Sequence, residues 1–522
     1  MATISDLRAA AHQAMLDNGF TPDIPPEVAA EVARDAGYAK VAATRVGPPE
    51  TGAAASGTGS DVQDLRDLPW SSIDNDSSRD LDQLEVAERL PDGTVRVRVA
   101  IADVDGTVRK DSATDRFAAT NCTSVYTGVA TFPMLPEELS TDLTSLGEND
   151  DRASVVIQFV VAPDGSIASR DVYMARVRNH AKLAYDSVGA YLDTGSALPS
   201  SATQTIQDQL HLQDTVAQSL RDMRGRRGAL DLETIEAQSV VMPDQSVDIE
   251  LVHKTRASRL IEDFMIAANV AMAEYLDAHG SPSIRRIVRS PDRWVRIVAL
   301  AKTFGVELPA EPDTAALSAF LAGRRKADPA HFADLSLAVV KLIGPGEYAA
   351  HLPGQPDIGH FALATHDYTH STAPNRRFAD LVTQRLLKAV LAGRPTPYTN
   401  DQLNAIAARC TDRENAARKV ERQVRKVAAA VSMSNRVGES FNAMVTGVNP
   451  NGTYVRIVSP PVEGRVMRGE AGLDVGDAVR VRLLSTDPKR GFIDFAADSV
   501  TDSGVHGGAH GATTAAFHSR AG

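Results

Sequence analysis

The sequence predicts a mixed α/β fold of the α+β class. A short helical N-terminal region leads into a large domain with strands first and helices after, and a small β-barrel follows near the C-terminus. Three observations carry this. Residues 84–103 read as strand, turn, strand, with Val95, Val97, Val99 and Ile101 alternating after the turn at Pro91-Asp-Gly93. Residues 258–278 place Ile261, Phe264, Met265, Ala268, Met272 and Leu276 on one helical stripe. Residues 440–496 break into five short apolar runs separated by turn glycines.

The totals bound the function class. At 522 residues the chain has room for more than one domain, and 43% hydrophobic with 23% charged residues is an ordinary globular balance. A net charge of −12 argues against indiscriminate binding of nucleic acid, but not against an enzyme with its positive charge inside a channel. No apolar run reaches the length of a membrane span, and Met1–Asp6 lacks the basic and apolar regions of a secretory signal. Cys122 and Cys410 stand far apart, which points to a reducing cytoplasm without a disulfide framework.

Taken in order, residues 5–20 and 26–37 read as two amphipathic helices, the first capped by Ser5 and the second opened by Pro25-Pro26. They form a helical region over 1–46. The Gly/Ala/Ser/Pro-rich run around 47–61 is a flexible connection, taken as a linker over 47–64. Strands continue to about residue 178, and residues 202–224 are helical. The Arg221–Gly228 turn is basic, which suits phosphate or plain solvation equally. Helical sequence resumes from 292 to 343 with breaks at Pro309 and Pro312. Pro374 places Arg376 and Arg377 at the N-terminus of a helix running to Leu391, where backbone N–H groups favour an anion and guanidinium adds a clamp. His360, His366 and His370 lack the Glu of a zinc-protease helix and read as satisfied or surface histidines. Residues 400–436 form a long basic helix in which Glu421 stands among cations. The strands of 440–496 suggest an OB-type barrel, an architecture that commonly binds single strands. The tail from 497 is expected to be disordered.

The chemistry concentrates in Trp70–Gln83, where Asp74, Asp76, Asp80 and Asp82 are interleaved with Ser, Ile and Leu. Side chains at i and i+2 of extended chain point the same way, roughly 6–7 Å apart, so Asp80 and Asp82 can converge. A turn through Asn75–Ser78 can fold Asp74 back towards them. Clustered carboxylates need a cation or a proton, and oxygen ligands without Cys or His favour Mg²⁺ or Mn²⁺. Such sites hydrolyse phosphodiesters by activating water and stabilising the leaving oxygen. An acidic turn leading into a strand is the plainer alternative.

Four separated stretches together resemble the catalytic RNB domain of the ribonuclease II / ribonuclease R family. They are Ser72-Ile-Asp74 with Arg79-Asp-Leu-Asp82, Ser124-Val-Tyr126 with Pro133–Glu137, Ile261–Asn269, and His360-Phe through Arg376-Arg-Phe-Ala-Asp380. The resemblance covers residues 65–436, and the barrel over 440–496 is similar to the RNA-binding domain that closes such chains. It implies an Mg²⁺-dependent exoribonuclease that degrades single-stranded RNA from its 3′ end to 5′-nucleoside monophosphates. Asp74, Asp80, Asp82 and Arg376 would be catalytic, with Asp74 and Asp82 holding the metal. Tyr126 would stack on the 3′-terminal base, Arg376 and Arg377 would face phosphate, Glu262 would approach a ribose hydroxyl, and Glu421 would lie near the site.

The departures are specific. Gln83 stands where the family usually has Asp, and its amide can ligate Mg²⁺ but brings no charge; Asp76 offers a substitute. Ser371 and Asn375 replace residues that are usually aromatic or apolar. Leu232 falls near the place of an aromatic partner for the tyrosine. No pair of cold-shock barrels is visible ahead of residue 65, so the expected RNA entry path is built differently. Two rivals remain: an RNB-like RNA-holding protein weakened in catalysis, and a phosphodiesterase for short oligonucleotides.

Overall fold

A computed structural model describes residues 4–44, 62–233, 236–242, 247–252, 254–329, 331–356 and 358–497. The chain divides into two compact units, residues 1–425 and 426–522. The first opens with α1 (Ile4–Asp17) and α2 (Pro26–Thr44), then β1 (Gln63–Asp64), β2 (Ser71–Asp74), β3 (Gln83–Arg89), β4 (Val95–Ala102) and α3 (Ala113–Asn121). It continues through β5 (Val125–Tyr126), β6 (Thr131–Phe132), β7 (Asp151–Val161), β8 (Ile167–Arg178), β9 (Ala181–Ala184), α4 (Tyr185–Thr194) and α5 (Gln204–Arg226). Then come β10 (Glu236–Val241), β11 (Val247–Val252), α6 (Arg256–Ala278), β12 (Ser283–Ile287), α7 (Trp294–Thr303), α8 (Thr314–Ala327) and α9 (Phe332–Ile343). It closes with β13 (Glu347–His351), α10 (Phe378–Leu391) and α11 (Asn400–Ser432).

The scaffold is a seven-stranded sheet in the order β1-β8-β7-β4-β3-β2-β9. The β3–β4 hairpin lies inside it, with Gln83 paired to Ile101 and Arg89 to Val95. Residues 81–87 are buried without interruption, which is why β3 shows no polar alternation in the sequence. The expected stripe on α6 is buried except for Met265, which is half-buried, and Phe264 meets Phe159 of β7 edge-on at 6.3 Å. Thr255 caps α6 by accepting the Ser258 N–H. α10 is pinned by Arg385, whose guanidinium reaches Asp105, Asp115, the Tyr398 hydroxyl and the Val108 carbonyl.

Some local expectations shift. Ser5 lies inside α1, which opens at Ile4, so it is not the residue before the helix. α2 runs on to Thr44 rather than stopping at 37. The 292–343 stretch resolves into α7, α8 and α9, and Asp313 caps α8 through the Ala316 N–H. The expected connection over 47–61 and the tail from 498 lie outside the described residues.

The second unit holds a closed barrel of β14 (Ser440–Asn449), β15 (Gly452–Ile457), β16 (Glu463–Arg468), β17 (Ala478–Asp487) and β18 (Phe492–Ala497), ordered β14-β15-β16-β18-β17. Val455, Ile457, Val481, Leu483 and Phe495 fill it. A Cβ on Gly464 would stand 2.5 Å from the Phe495 ring and 2.6 Å from the Ile493 carbonyl oxygen, so closure requires glycine there.

Candidate active site

Asp74 ends β2, and the chain turns at once: the Ser78 N–H donates to the Asn75 carbonyl. The Asp74 carboxylate accepts from the Asn75 N–H at 2.7 Å and the Ser78 hydroxyl at 3.0 Å. Burial raises its pKa, and the neighbouring Asp80 charge adds to this, while those hydrogen bonds and Arg376 oppose it. Asp76 stands exposed on the turn, where its carbonyl accepts from Lys182.

Asp82 is the deepest of the three, 2% exposed. One oxygen accepts the Asn375 N–H at 3.1 Å, and the other lies 3.6 Å from Arg376 Nε. Burial pushes its pKa up to about 7 against the opposing pull of Arg376 and the Asn375 N–H. Asp80 accepts the Tyr126 hydroxyl at 3.3 Å. Burial raises the pKa of that phenol, so it remains a donor at neutral pH. Glu421, on α11, accepts the Tyr126 N–H, and burial raises its own pKa. Tyr126, Glu421 and Arg425 line a cleft of about 440 Å³ with Thr127–Thr131 and Ser239–Val241. A Cβ on Gly128, at φ +79°, would stand 2.5 Å from the Ser239 carbonyl oxygen, so glycine permits this close approach.

Backbone contacts join the tyrosine segment to the arginine segment. The Ser124 N–H donates to the Arg376 carbonyl at 2.9 Å, Thr123 bridges to Arg377, and the Phe378 N–H donates to the Cys122 carbonyl at 2.8 Å. Arg377 is the N-cap residue of α10, where Pro374 predicted the arginines to fall.

The two arginines differ. The Arg376 side chain is 48% exposed beside Asp82. Arg377, expected to share the phosphate, spends its fork on Asp380 at 2.9 and 2.6 Å. Glu262 is half exposed and paired with Lys254 at 2.9 Å. The basic turn expected over 221–228 is mostly helix: Arg221 and Arg224 lie in the last turns of α5 and both engage buried Asp263, so they are committed inward.

The substituted positions have partners. Ser371 donates its N–H and hydroxyl to Asn269 of α6 at 2.8 and 2.9 Å. Asn375 Oδ1 accepts the Thr144 hydroxyl at 2.6 Å. Leu232 packs with the apolar cluster of α7, α8 and α9. Burial holds His360 at a pKa of about 4 and His370 well below the usual range; His370 pairs with the Tyr348 hydroxyl.

Two groups escaped the sequence reading. Glu85 of β3 is fully buried, and the like charge of Asp74 acts on it. Burial raises the pKa of Tyr185, the first residue of α4, and both Asp74 and Glu85 add to the effect. The signal for Glu85 was its own position, an acid inside a run that is otherwise strand core.

Among the described residues no three His, Cys, Asp or Glu side chains close into a ready-made ion shell. Mg²⁺ seldom needs one, since it commonly keeps waters and takes one or two carboxylates with substrate phosphate. The hard oxygens of half-buried Asp74 and buried Asp82, whose pKa values the charge of Asp80 raises further, fit such an ion.

Residues 62–393 match the RNB domain, and residues 439–498 match the RNase II-type exonuclease C-terminal S1 domain. The chain is 30% identical over 465 residues to Ribonuclease R 1 of Lactococcus lactis, covering 83% of this chain and 56% of that protein. Against Ribonuclease R of Escherichia coli it is 29% identical over 479 residues, covering 83% and 57%. It thus spans little more than half the length of these relatives. Its fold is similar to that of Mycoplasma genitalium RNase R in complex with ribose-methylated single-stranded RNA, with a TM-score of 0.82 at 23% identity over 94% of this chain and 78% of that one. Yeast Ssd1, a pseudonuclease, matches with a TM-score of 0.63 at 19% identity over 78% and 50%. With its matched domain spanning the aspartates, Tyr126 and the arginine pair, the chain belongs to the RNB domain family.

Proposed function

We infer that this chain is a 3′→5′ exoribonuclease that hydrolyses single-stranded RNA to 5′-nucleoside monophosphates with Mg²⁺, or Mn²⁺ in its place. The observation that carries the reading is the convergence on Asp82 of the Asn375 N–H and the half-exposed Arg376, beside Asp74 and the Asp80–Tyr126 pair. RNase R structures from Mycoplasma genitalium hold single-stranded and double-stranded RNA, and a similar strand is the substrate inferred here.

Each residue then has a task. Tyr126 stacks on the 3′-terminal base, with its backbone fixed by Glu421 and its hydroxyl by Asp80. Arg376 binds the scissile phosphate and balances the charge that develops on it. Asp74 and Asp82 would hold the cation, which would supply Lewis-acid stabilisation of charge on the phosphate. Water adds to phosphorus, the bond to the 3′ oxygen breaks, and the terminal nucleotide leaves with its 5′ phosphate. Arg377 anchors the loop through Asp380, and the task inferred for Glu262, paired with Lys254 in the free protein, is to approach a ribose hydroxyl. The inferred division is catalysis in residues 65–436 and RNA binding in the barrel of 440–496. Two buried free cysteines favour a cytoplasmic enzyme. No helix among the described residues is long and apolar enough to cross a membrane.

Gln83 favours one rival, an RNA-holding protein without catalysis. A time course on 5′-labelled poly(A) decides. A descending ladder in Mg²⁺, absent in EDTA and in Asp82→Asn, is expected. Intact RNA in both Mg²⁺ and Mn²⁺, with binding retained, overturns the enzyme reading. Deleting residues 440–522 addresses the other rival: an enzyme for long RNA binds more weakly with a smaller salt slope, whereas one for short oligonucleotides keeps full activity.

A further inference from the structure

The hairpin that carries Tyr126 is too short to hold itself. Among the described residues, β5 and β6 pair Val125 with Phe132 and Tyr126 with Thr131 and go no further. A lone ladder of this size is at best marginally stable in water. The turn between the strands closes locally: the Thr127 N–H and hydroxyl both donate to the Ala130 carbonyl, at 3.1 and 2.6 Å. The place of the hairpin must therefore be set from outside. The Arg376–Phe378 segment, Glu421 and the close approach of Gly128 to Ser239 fix part of it. The N-terminal region, which supplies none of the inferred catalytic groups, also reaches it.

It does so on both flanks of the tyrosine. Ahead of Tyr126, buried Asn121 spends both ends of its amide on one residue: Oδ1 accepts the Thr21 N–H at 3.0 Å, and Nδ2 donates to the Thr21 carbonyl at 3.0 Å. Beyond Tyr126, the carbonyl of Val129 accepts Arg8 Nε–H at 3.3 Å, and Val129 lines the same cleft as the tyrosine. The Phe132 ring lies 6.4 Å from that of His12. The N-terminal region is anchored in turn to α11. Leu7, Ala11, Ala14 and Met15 of α1 are buried, as is Phe20. Arg413 of α11 donates to the Asn18 and Gly19 carbonyls at 3.2 and 2.6 Å, and its guanidinium lies 5.3 Å from the centre of the Phe20 ring. Since α11 also carries Glu421, residues 4–21 form a strut between the two elements that meet at Tyr126.

We propose that α1 and the turn after it are a positioning element of the active site, in which Arg8 and Asn121 hold the Tyr126 hairpin in place against α11 so that the tyrosine is pre-set to receive the terminal base. This rests on the exoribonuclease reading above. Arg8 and Asn121 act through the hairpin and not on the RNA. A loop already ordered does not have to be ordered by the strand that binds it, so the gain appears as affinity.

The test titrates the full chain into 5′-fluorescein oligoadenylate in EDTA and reads affinity by anisotropy. A second titration carries 2-aminopurine at the 3′ end, whose quenching reports stacking, and each variant is melted thermally. Arg8→Ala and Asn121→Ala are each expected to weaken binding by about 2- to 10-fold, the range that one hydrogen bond spans, with less quenching at the terminal base. The single-turnover rate at saturating RNA in Mg²⁺ is expected to stay at the wild-type value. Arg8→Lys, which can still donate to the Val129 carbonyl, is expected to bind as the wild type does. In a Tyr126→Ala background neither substitution is expected to weaken binding further, because the group they act through is gone. Arg8 is exposed, so Arg8→Ala covers the case in which Asn121→Ala does not fold. Wild-type affinity and quenching in both variants, with Tyr126→Ala defective, overturns the proposal and leaves the exoribonuclease reading standing. A loss of equal size in the Tyr126→Ala background makes the strut merely structural and also overturns it. If Tyr126→Ala binds and quenches as the wild type does, the assignment of the cleft to the terminal base fails first and the proposal with it.

Discussion

Arg376→Ala and Arg377→Ala should fail in opposite ways, although the two side chains are adjacent. Arg376 lies 3.6 Å from Asp82 with its side chain 48% exposed. At an effective dielectric constant of about 20, two charges at that separation attract by roughly 4–5 kcal/mol before solvent is counted. Half-exposure and the entropy of a long side chain cut the net contribution of such a pair to about 1 kcal/mol or less. Removing Arg376 should therefore barely move the melting temperature. Its value is realised when charge grows on the phosphate, and losing one such donor costs about 10²–10³ in kcat. Arg377 is the reverse case. Its fork covers a fully buried Asp380, which would keep only the Ala373 N–H. Leaving a buried carboxylate short of its partner costs about 3–5 kcal/mol, about 5 °C in a unit of this size. The assay pairs single-turnover degradation of labelled RNA with calorimetric melting. A kcat for Arg376→Ala within tenfold of wild type, or an Arg377→Ala protein that melts like wild type, would refute the assignment.

Other consequences can be measured. Tyr126→Phe removes one long hydrogen bond to Asp80 and should change the rate little, whereas Tyr126→Ala loses base stacking of about 1–3 kcal/mol and should raise KM for poly(A) accordingly. Glu31 reaches across to the start of α3, accepting the Ala113 and Thr114 N–H groups; burial alone would raise its pKa, but the Thr114 and Ser112 hydroxyls and, after them, these N–H groups hold it at about 2. Its stabilisation is complete above the unfolded value near 4.5 and is lost as pH falls towards 2, so Glu31→Gln should cost about 1 kcal/mol at pH 7, after allowance for solvent, and little at pH 2, read by urea melts. Gly464→Ala drives a methyl into the Ile493 carbonyl and the Phe495 ring, and an overpacking cost of about 1–3 kcal/mol should appear as faster amide exchange in β15, β16 and β18.

The parts of the fold legible in the sequence were those with a period. The β4 alternation, the α6 stripe and the proline before the arginine pair all correspond to observed elements, because each is set within one segment. What stayed hidden depended on distant partners. Nothing local said that Arg221 and Arg224, at the end of α5, would close on Asp263, or that Arg377 would be occupied while Arg376 remained half exposed. Glu85 escaped for a different reason: β3 is covered on both faces, so no polar–apolar rhythm sets its buried acid apart. The Ser371 and Asn375 substitutions looked like losses until Asn269 and Thr144 supplied their partners.

The short ladder between Cys122–Ser124 and Arg376–Phe378 has a consequence of its own. Main-chain hydrogen bonds join the segment of Tyr126 directly to that of Arg376, so changes of the side chains along it leave that link intact. For the exonuclease inferred above, such a ladder is a ruler whose length is independent of which base is being measured. The stride should then be uniform along a mixed sequence, with differences among bases appearing in dwell time at each step and not in the size of the product.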